Sequence, residues 1–262
     1  MTNTGLMAGK KGLIMGVAND HSIAWGIAKK LHDEGAELAF TYQGDAFGKR
    51  VKPLAESVGS DIVLSCDVSD ENSIDEVFDA LKEKWEEIDF VVHSIAYSDK
   101  NELQGEYVDT SLQNFLTSMH ISCYSFTSVA RRAKDMMPNG GSMITLSYLG
   151  SERVMPNYNV MGVAKAALEA SVRYLASDLG SKNIRVNSIS AGPMRTLAGA
   201  VIGSARQTYK YTQEASPLKR PVELEELGNT GLYFLSDLST AVTGENHYVD
   251  CGFNVVGMKK PE

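Results

Sequence analysis

The chain has 262 residues, 25 basic and 33 acidic side chains, and a formal charge of −8. That balance argues against a general nucleic-acid or polyphosphate binder, which is basic overall. Hydrophobic residues at 43% and charged residues at 22% exclude disordered and fibrous classes, and a chain this long buries about three quarters of the surface its unfolded form exposes.

No apolar run approaches the roughly 18–20 residues of a membrane span. The stretch 13–18 behind Lys10 and Lys11 is too short for a secretory segment and predicts a first strand over 12–17. Further short apolar or β-branched runs predict strands over 37–42, 61–66, 90–95, 142–147, 184–190 and 246–249. Helical spacing of Ile23, Ile27, Ala28 and Leu31 predicts a helix over 22–34, stopped by Gly35. Ile74, Val77, Phe78, Leu81 and Trp85 predict another over 72–87. Longer helices are expected over 111–137 and 157–180, and a last one over 222–236. The acidic stretch 61–89, with 11 acids and two lysines, reads as a solvated face with no role of its own.

Strand and helix alternate, which calls for parallel pairing with right-handed crossovers and helices on both faces. The expected fold is α/β: a single-domain (residues 1–262), Rossmann-like, doubly wound sheet of seven mostly parallel strands. Ligands of such sheets bind beyond the carboxyl ends of the strands. Cys66, Cys123 and Cys251 lack any metal or redox spacing, which implies a reducing, cytoplasmic setting. The five histidines form no ligand pair, so no metal site is expected.

The strand ends carry the chemistry. After the first strand, Gly16 allows a tight turn, Ser22 opens the helix with a hydroxyl and free amides for a diphosphate, and Gly26 lets the helix pack close to the sheet. The spacing is not G-x-G-x-x-G, and a turn capped by Ser22 reads equally well from this segment alone. The second strand ends at Tyr42-Gln43, where an adenosine ribose is expected, and the third at Cys66-Asp67-Val68, which places a carboxylate near an adenine amino group. Together with His93-Ser94-Ile95-Ala96 after the fourth strand, these ends point to a dinucleotide.

The fifth strand ends Leu146-Ser147-Tyr148-Leu149-Gly150, followed by Tyr158-Asn-Val-Met161-Gly-Val-Ala-Lys165, and the sixth by Ser190-Ala-Gly-Pro-Met194-Arg-Thr196. In these pieces the chain resembles the short-chain dehydrogenase/reductases. Within them it resembles the divergent enoyl-(acyl-carrier-protein) reductases of bacterial fatty acid synthesis, over about residues 9–252. Most of the superfamily carries Tyr-x3-Lys. Here Met161 stands where that tyrosine would be, and Tyr158 gives Tyr-x6-Lys. Seven helical residues turn about 700°, so Tyr158 and Lys165 are expected on one helix face, about 10 Å apart along its axis instead of roughly 6 Å. A direct Lys-to-Tyr relay is therefore doubtful, and Tyr158 reaches towards a larger substrate.

The resemblance implies reduction of enoyl thioesters with NADH. It assigns catalysis to Tyr158, Tyr148 and Lys165, and substrate contacts to Ser98, Tyr148 and Tyr158. The cofactor contacts it implies are Gly16, Ser22, Ile23, Gln43, Asp67, Val68, Ile95, Lys165, Met194 and Thr196. The partner is the acyl carrier protein, and the assembly a homotetramer with interfaces on the helices after Ser111 and Asn157. Neither nucleic-acid nor integral membrane contact is expected. Tyr42-Gln43-Gly44-Asp45 offers no Arg or Lys for a 2′-phosphate and carries an acid, so NADH is expected over NADPH. Segment 195–220 carries five basic residues against Glu214 alone, net +4 in a chain of −8. With Gly199 and Gly203 weakening a helix and Leu197, Val201 and Ile202 apolar, it reads as a mobile lid facing an acidic carrier. Two other readings are a 3-oxoacyl or other carbonyl reductase, against which Met161 counts, and a non-catalytic dinucleotide sensor on the same fold.

Overall fold

The computed structural model describes residues 5–197 and 205–259. Its strands are β1 (Lys11–Met15), β2 (Glu37–Tyr42), β3 (Val63–Ser65), β4 (Phe90–His93), β5 (Gly141–Ser147), β6 (Ile184–Ala191) and β7 (Asn246–Val249). They form one sheet in the order β3-β2-β1-β4-β5-β6-β7, with every pair parallel. Chain order reverses between β1 and β4, which opens a crevice at their carboxyl ends.

The helices are α1 (Ile23–Asp33), α2 (Gly44–Ser57), α3 (Glu71–Lys84), α4 (Leu112–Met119), α5 (Ser125–Ala133), α6 (Val160–Leu179), α7 (Ala205–Ala215) and α8 (Leu224–Leu235). Two apolar layers cover the sheet. Phe78, Phe126, Val129, Leu168 and Val172 from α3, α5 and α6 pack on one face. Trp25, Ile27, Leu31, Val51, Leu227 and Phe234 from α1, α2 and α8 pack on the other. Burial on both faces is what makes the strands nearly continuous apolar runs.

Several elements differ from expectation. The sequence reading has no α2, whose segment contains Gly44, Gly48 and Pro53 and buries only Gly48, Val51 and Ala55. The single helix expected over 111–137 is α4, a π-helical turn at His120–Tyr124, and α5. Trp85 is the extended residue that ends α3, so it packs from beyond the helix. Gly26 does not serve the sheet: a Cβ there would lie 2.5 Å from Leu224 Cγ, and one on Gly228 would lie 2.7 Å from Gly26 O. These two glycines let α1 and α8 cross in contact. The acidic face of α3 also has work. Arg131 reaches Glu71 at 2.7 Å and Arg132 reaches Asp75 at 2.6 Å, tying α3 to α5. No helix among the described residues is long and apolar enough to cross a membrane.

Candidate active site

A cleft of about 1540 Å³ runs along the carboxyl ends of the strands. The thirteen residues assigned above to catalysis, cofactor and substrate all line it: Gly16, Ser22, Ile23, Gln43, Asp67, Val68, Ile95, Ser98, Tyr148, Tyr158, Lys165, Met194 and Thr196.

At the β1 end the backbone is tightly constrained. Gly16 has φ +97°, and a Cβ there would lie 2.0 Å from Ser94 O at the end of β4. Ser22 begins α1 but does not cap it with its side chain. Its hydroxyl instead accepts from the amides of Ala18 at 3.0 Å and Asn19 at 3.1 Å, folding the loop back on itself. The first-turn amides of α1 are left without a side-chain cap, in the arrangement that receives phosphate oxygens. The ends of β2 and β3 are joined by Gln43 Nε2 donating to Asp67 Oδ2 at 3.0 Å. Hydrogen bonds from Ser69, chiefly its hydroxyl, hold the Asp67 carboxyl below the usual range, with Gln43 adding to them. Diphosphate donors beside β1 and an ionised acid two strands further out, past β3, fit an adenine dinucleotide.

Beneath the middle of the cleft, His93 is fully buried, its ring nitrogens 3.2 Å from Thr145 Oγ1 and 2.9 Å from Ser125 Oγ. Burial, with the Lys165 charge adding, pushes its pKa down to about 3, so it is a neutral floor. The π-helical turn shapes the wall above. Ile121 lines the cleft, while Ser122 Oγ donates to Tyr97 O at 3.0 Å and accepts from Tyr97 N at 2.9 Å. Ser98 Oγ donates to Asn114 Oδ1 at 3.2 Å, which draws its hydroxyl towards α4.

Tyr158 is not on α6. Asn157 and Asn159 have φ of +58° and +38°, and the helix starts at Val160. The face-sharing argument therefore does not apply: Tyr158 sits in the turn ahead of the helix, between two asparagines, a residue type that tolerates positive φ. Its ring is 8% exposed and meets Tyr148 edge-on, with centroids 5.1 Å apart. A Cβ on Gly150 would fall 2.4 Å from the Tyr158 ring, so that glycine is the seat of the ring. Leu103, Val160 and Met161 complete an apolar cluster around it. Burial raises the Tyr158 phenol above its usual range and pushes Tyr148 up to about 12, with Asp250 adding to the latter. Both stay neutral donors at any physiological pH. Lys165, 6% exposed, donates to Leu146 O at 2.7 Å. Burial pushes its pKa down to about 8, against the pull of Cys123 and Glu169.

Sequence reasoning missed several lining residues. Arg50 and Phe47 come from the unforeseen α2, and Tyr97, Leu103 and Met155 from loops without a local motif. In the segment 195–220, Arg195, Thr196, Leu197, Arg206, Thr208 and Tyr209 line the cleft. The expected Gly199, Val201, Ile202 and Gly203 lie outside the described residues. The basic charges do not all face outward. Arg195 stacks on the Tyr209 ring at 4.7 Å, and Arg220 pairs with Glu226 at 2.6 Å.

A family model described as enoyl-(acyl carrier protein) reductase matches residues 16–254. The enoyl-(acyl-carrier-protein) reductase (NADH) 2 of Rhizobium meliloti is 65% identical over 254 residues, covering 97% of this chain and 95% of that protein. Among solved structures, FabI from Candidatus Liberibacter asiaticus has a TM-score of 0.96 at 60% identity, covering 98% of this chain and 99% of that one. The enoyl-(acyl-carrier-protein) reductase of Anaplasma phagocytophilum in complex with NAD has a TM-score of 0.95 at 59% identity, with both chains covered in full. Matched through both ends of the cleft, the chain belongs to the enoyl-(acyl-carrier-protein) reductase family.

Proposed function

We propose that this protein reduces the trans-2 double bond of enoyl thioesters carried on acyl carrier protein, with NADH as reductant, in the elongation cycle of fatty acid synthesis. The observation that supports this most is a neutral tyrosine hydroxyl, Tyr158, set in an apolar pocket of the cleft that the buried Lys165 also lines. Met161 is buried in that pocket where a carbonyl reductase carries its tyrosine, which counts against the carbonyl-reductase reading.

The first-turn amides of α1 with Ser22 and Ile23 would hold the diphosphate. Gln43, Asp67 and Val68 would hold the adenosine end, and Ile95, Lys165, Met194 and Thr196 the nicotinamide riboside. When bound, the nicotinamide would supply a hydride to C3 of the enoyl thioester, with a proton originating from water added at C2 to complete the saturated product. Negative charge then grows on the thioester oxygen, and the Tyr158 hydroxyl donates to it. A donor aimed at that charge stabilises the transition state more than the ground state. Tyr148 orients the Tyr158 ring through their edge-on contact, and Ser98 and Tyr97 border the acyl group. Lys165, as an ammonium, holds ribose hydroxyls. The apolar cluster keeps water from the reacting carbons.

Segment 195–220 serves as a lid, with Arg206 exposed at the cleft mouth where an acidic carrier protein approaches. The assembly we propose is a homotetramer, supported by exposed Leu112 and Leu116 on α4 and Val163 and Tyr174 on α6. The free cysteines, two of them buried, are in keeping with a cytoplasmic setting. The test is NADH oxidation with a crotonyl thioester beside an acetoacetyl thioester. Turnover of the first alone supports the proposal. Turnover of the second alone makes the protein a carbonyl reductase, and turnover of neither leaves a dinucleotide-binding protein.

A further inference from the structure

Two charged side chains are buried on one face of α6, a turn apart. Lys165 is 6% exposed and Glu169 is 7% exposed. Each grips the end of β5, on successive residues. Lys165 Nζ donates to Leu146 O at 2.7 Å, and Ser147 Oγ donates to Glu169 Oε1. The next residue is Tyr148, whose ring seats Tyr158. A buried carboxylate is costly unless it is compensated. Apolar packing would join α6 to β5 without that cost, as Leu168 and Val172 already do. The charge therefore requires a reason beyond adhesion.

We infer that Glu169 is a positioning residue of the site: its carboxylate fastens the Ser147 end of β5 to α6 and stands as the buried counter-charge to the Lys165 ammonium. The inference rests on the proposed role of Lys165 as the cation at the nicotinamide ribose. Other titratable groups around the pair are Cys123 in the π-helical turn, His93 on β4, Tyr148 and Tyr158 at the cleft and Tyr248 on β7. His93 is held neutral, and burial raises the thiol and the three phenols. Two further carboxylates border the set, Asp250 acting on Tyr148 and Glu152 accepting from the Tyr248 hydroxyl, and Glu169 is the carboxylate whose pull reaches Lys165. Burial drives Lys165 towards its neutral form, and the pulls of Cys123 and Glu169 oppose this.

The test is NADH binding to the full chain, by fluorescence titration from about pH 6 to pH 10. Affinity of the unaltered protein falls as pH rises through about 8, where Lys165 loses its proton. Glu169→Gln keeps an acceptor for Ser147 but removes the charge. A charge about 6 Å along the helix, at an effective dielectric near 20, moves the midpoint down by about one to two pH units. If Glu169→Gln does not fold, Glu169→Asp is measured. Its carboxylate is one methylene further from Lys165, and the midpoint falls by a smaller step. A midpoint equal to that of the unaltered protein in the variant measured overturns the inference while Lys165→Met still abolishes the step. If Lys165→Met binds NADH as tightly as the unaltered protein at every pH, the role of Lys165 falls, and the inference with it.

Discussion

Replacing Tyr158 by phenylalanine removes one oxygen from the site and little else. The ring stays seated on Gly150, edge-on to Tyr148 and enclosed by Leu103, Val160 and Met161. Stability changes by no more than about 1.5 kcal/mol, the scale of one hydrogen bond. The catalytic cost is larger because a donor to a developing oxyanion is worth about 2.7–4 kcal/mol. Turnover with a crotonyl thioester, followed by NADH absorbance, falls about 10²–10³-fold. The NADH dissociation constant, measured by fluorescence, stays within about twofold, since the loss is confined to the transition state. Turnover of the unaltered protein shows no phenol titration across the physiological range, because burial holds the Tyr158 phenol above its usual range. Full activity in the variant would refute the assignment and make Tyr148 the donor. A parallel loss of NADH affinity would mean that Tyr158 shapes the cofactor site instead.

Lys165→Met weakens NADH binding by roughly ten- to hundredfold, the 1.5–3 kcal/mol of a charged hydrogen bond, and Lys165→Arg retains part of it; equal affinity in the Met protein makes the lysine structural. NADH gives a kcat/KM about tenfold or more above NADPH, because a 2′-phosphate would approach the Asp67 carboxylate; a preference for NADPH would assign Arg50, which lines that end of the cleft, as its partner. Arg206→Glu raises KM for the acyl-carrier-protein substrate about three- to tenfold at low salt, less at high salt, and leaves the coenzyme A thioester unchanged. Equal losses on both substrates would place Arg206 in the lid's own fold.

The strands were legible because a sheet covered on both faces needs apolar runs, and six of the seven begin within one residue of where the runs place them; β3 begins two residues in. Helix α2 was not, since Gly44, Gly48 and Pro53 read as loop and its partly buried Leu54 and buried Val51, Ala55 and Val58 are too few to outvote them. Tertiary packing under Phe40 and Tyr42 overrides that weak propensity. At the site, residue types at strand ends were readable, while conformations were not. Nothing local announces that Tyr158 precedes α6, because the positive φ of Asn157 and Asn159 is fixed by the surrounding turn. Asn159 Nδ2 donates to Leu103 O at 3.2 Å, a contact across 56 positions that only the folded chain provides. The Glu169 clamp was invisible for the same reason: a glutamate at a helical position normally reads as solvated.

The π-helical turn at His120–Tyr124 has a consequence for how this chain tolerates length changes. A π turn holds one more residue than an α turn, so the two helices it joins differ in rotational phase by about 100°. Phase is what allows α4 to turn Leu112 and Leu116 outward while α5 buries Phe126, Val129 and Ala133. Deleting any one residue of 120–124 would yield a regular, locally stable helix and still misdirect half of it. Ile121 would leave the cleft and Ser122 would leave Tyr97. A single-residue gap within 120–124 in an alignment of relatives therefore marks a rebuilt cleft wall, even where every residue flanking it is identical.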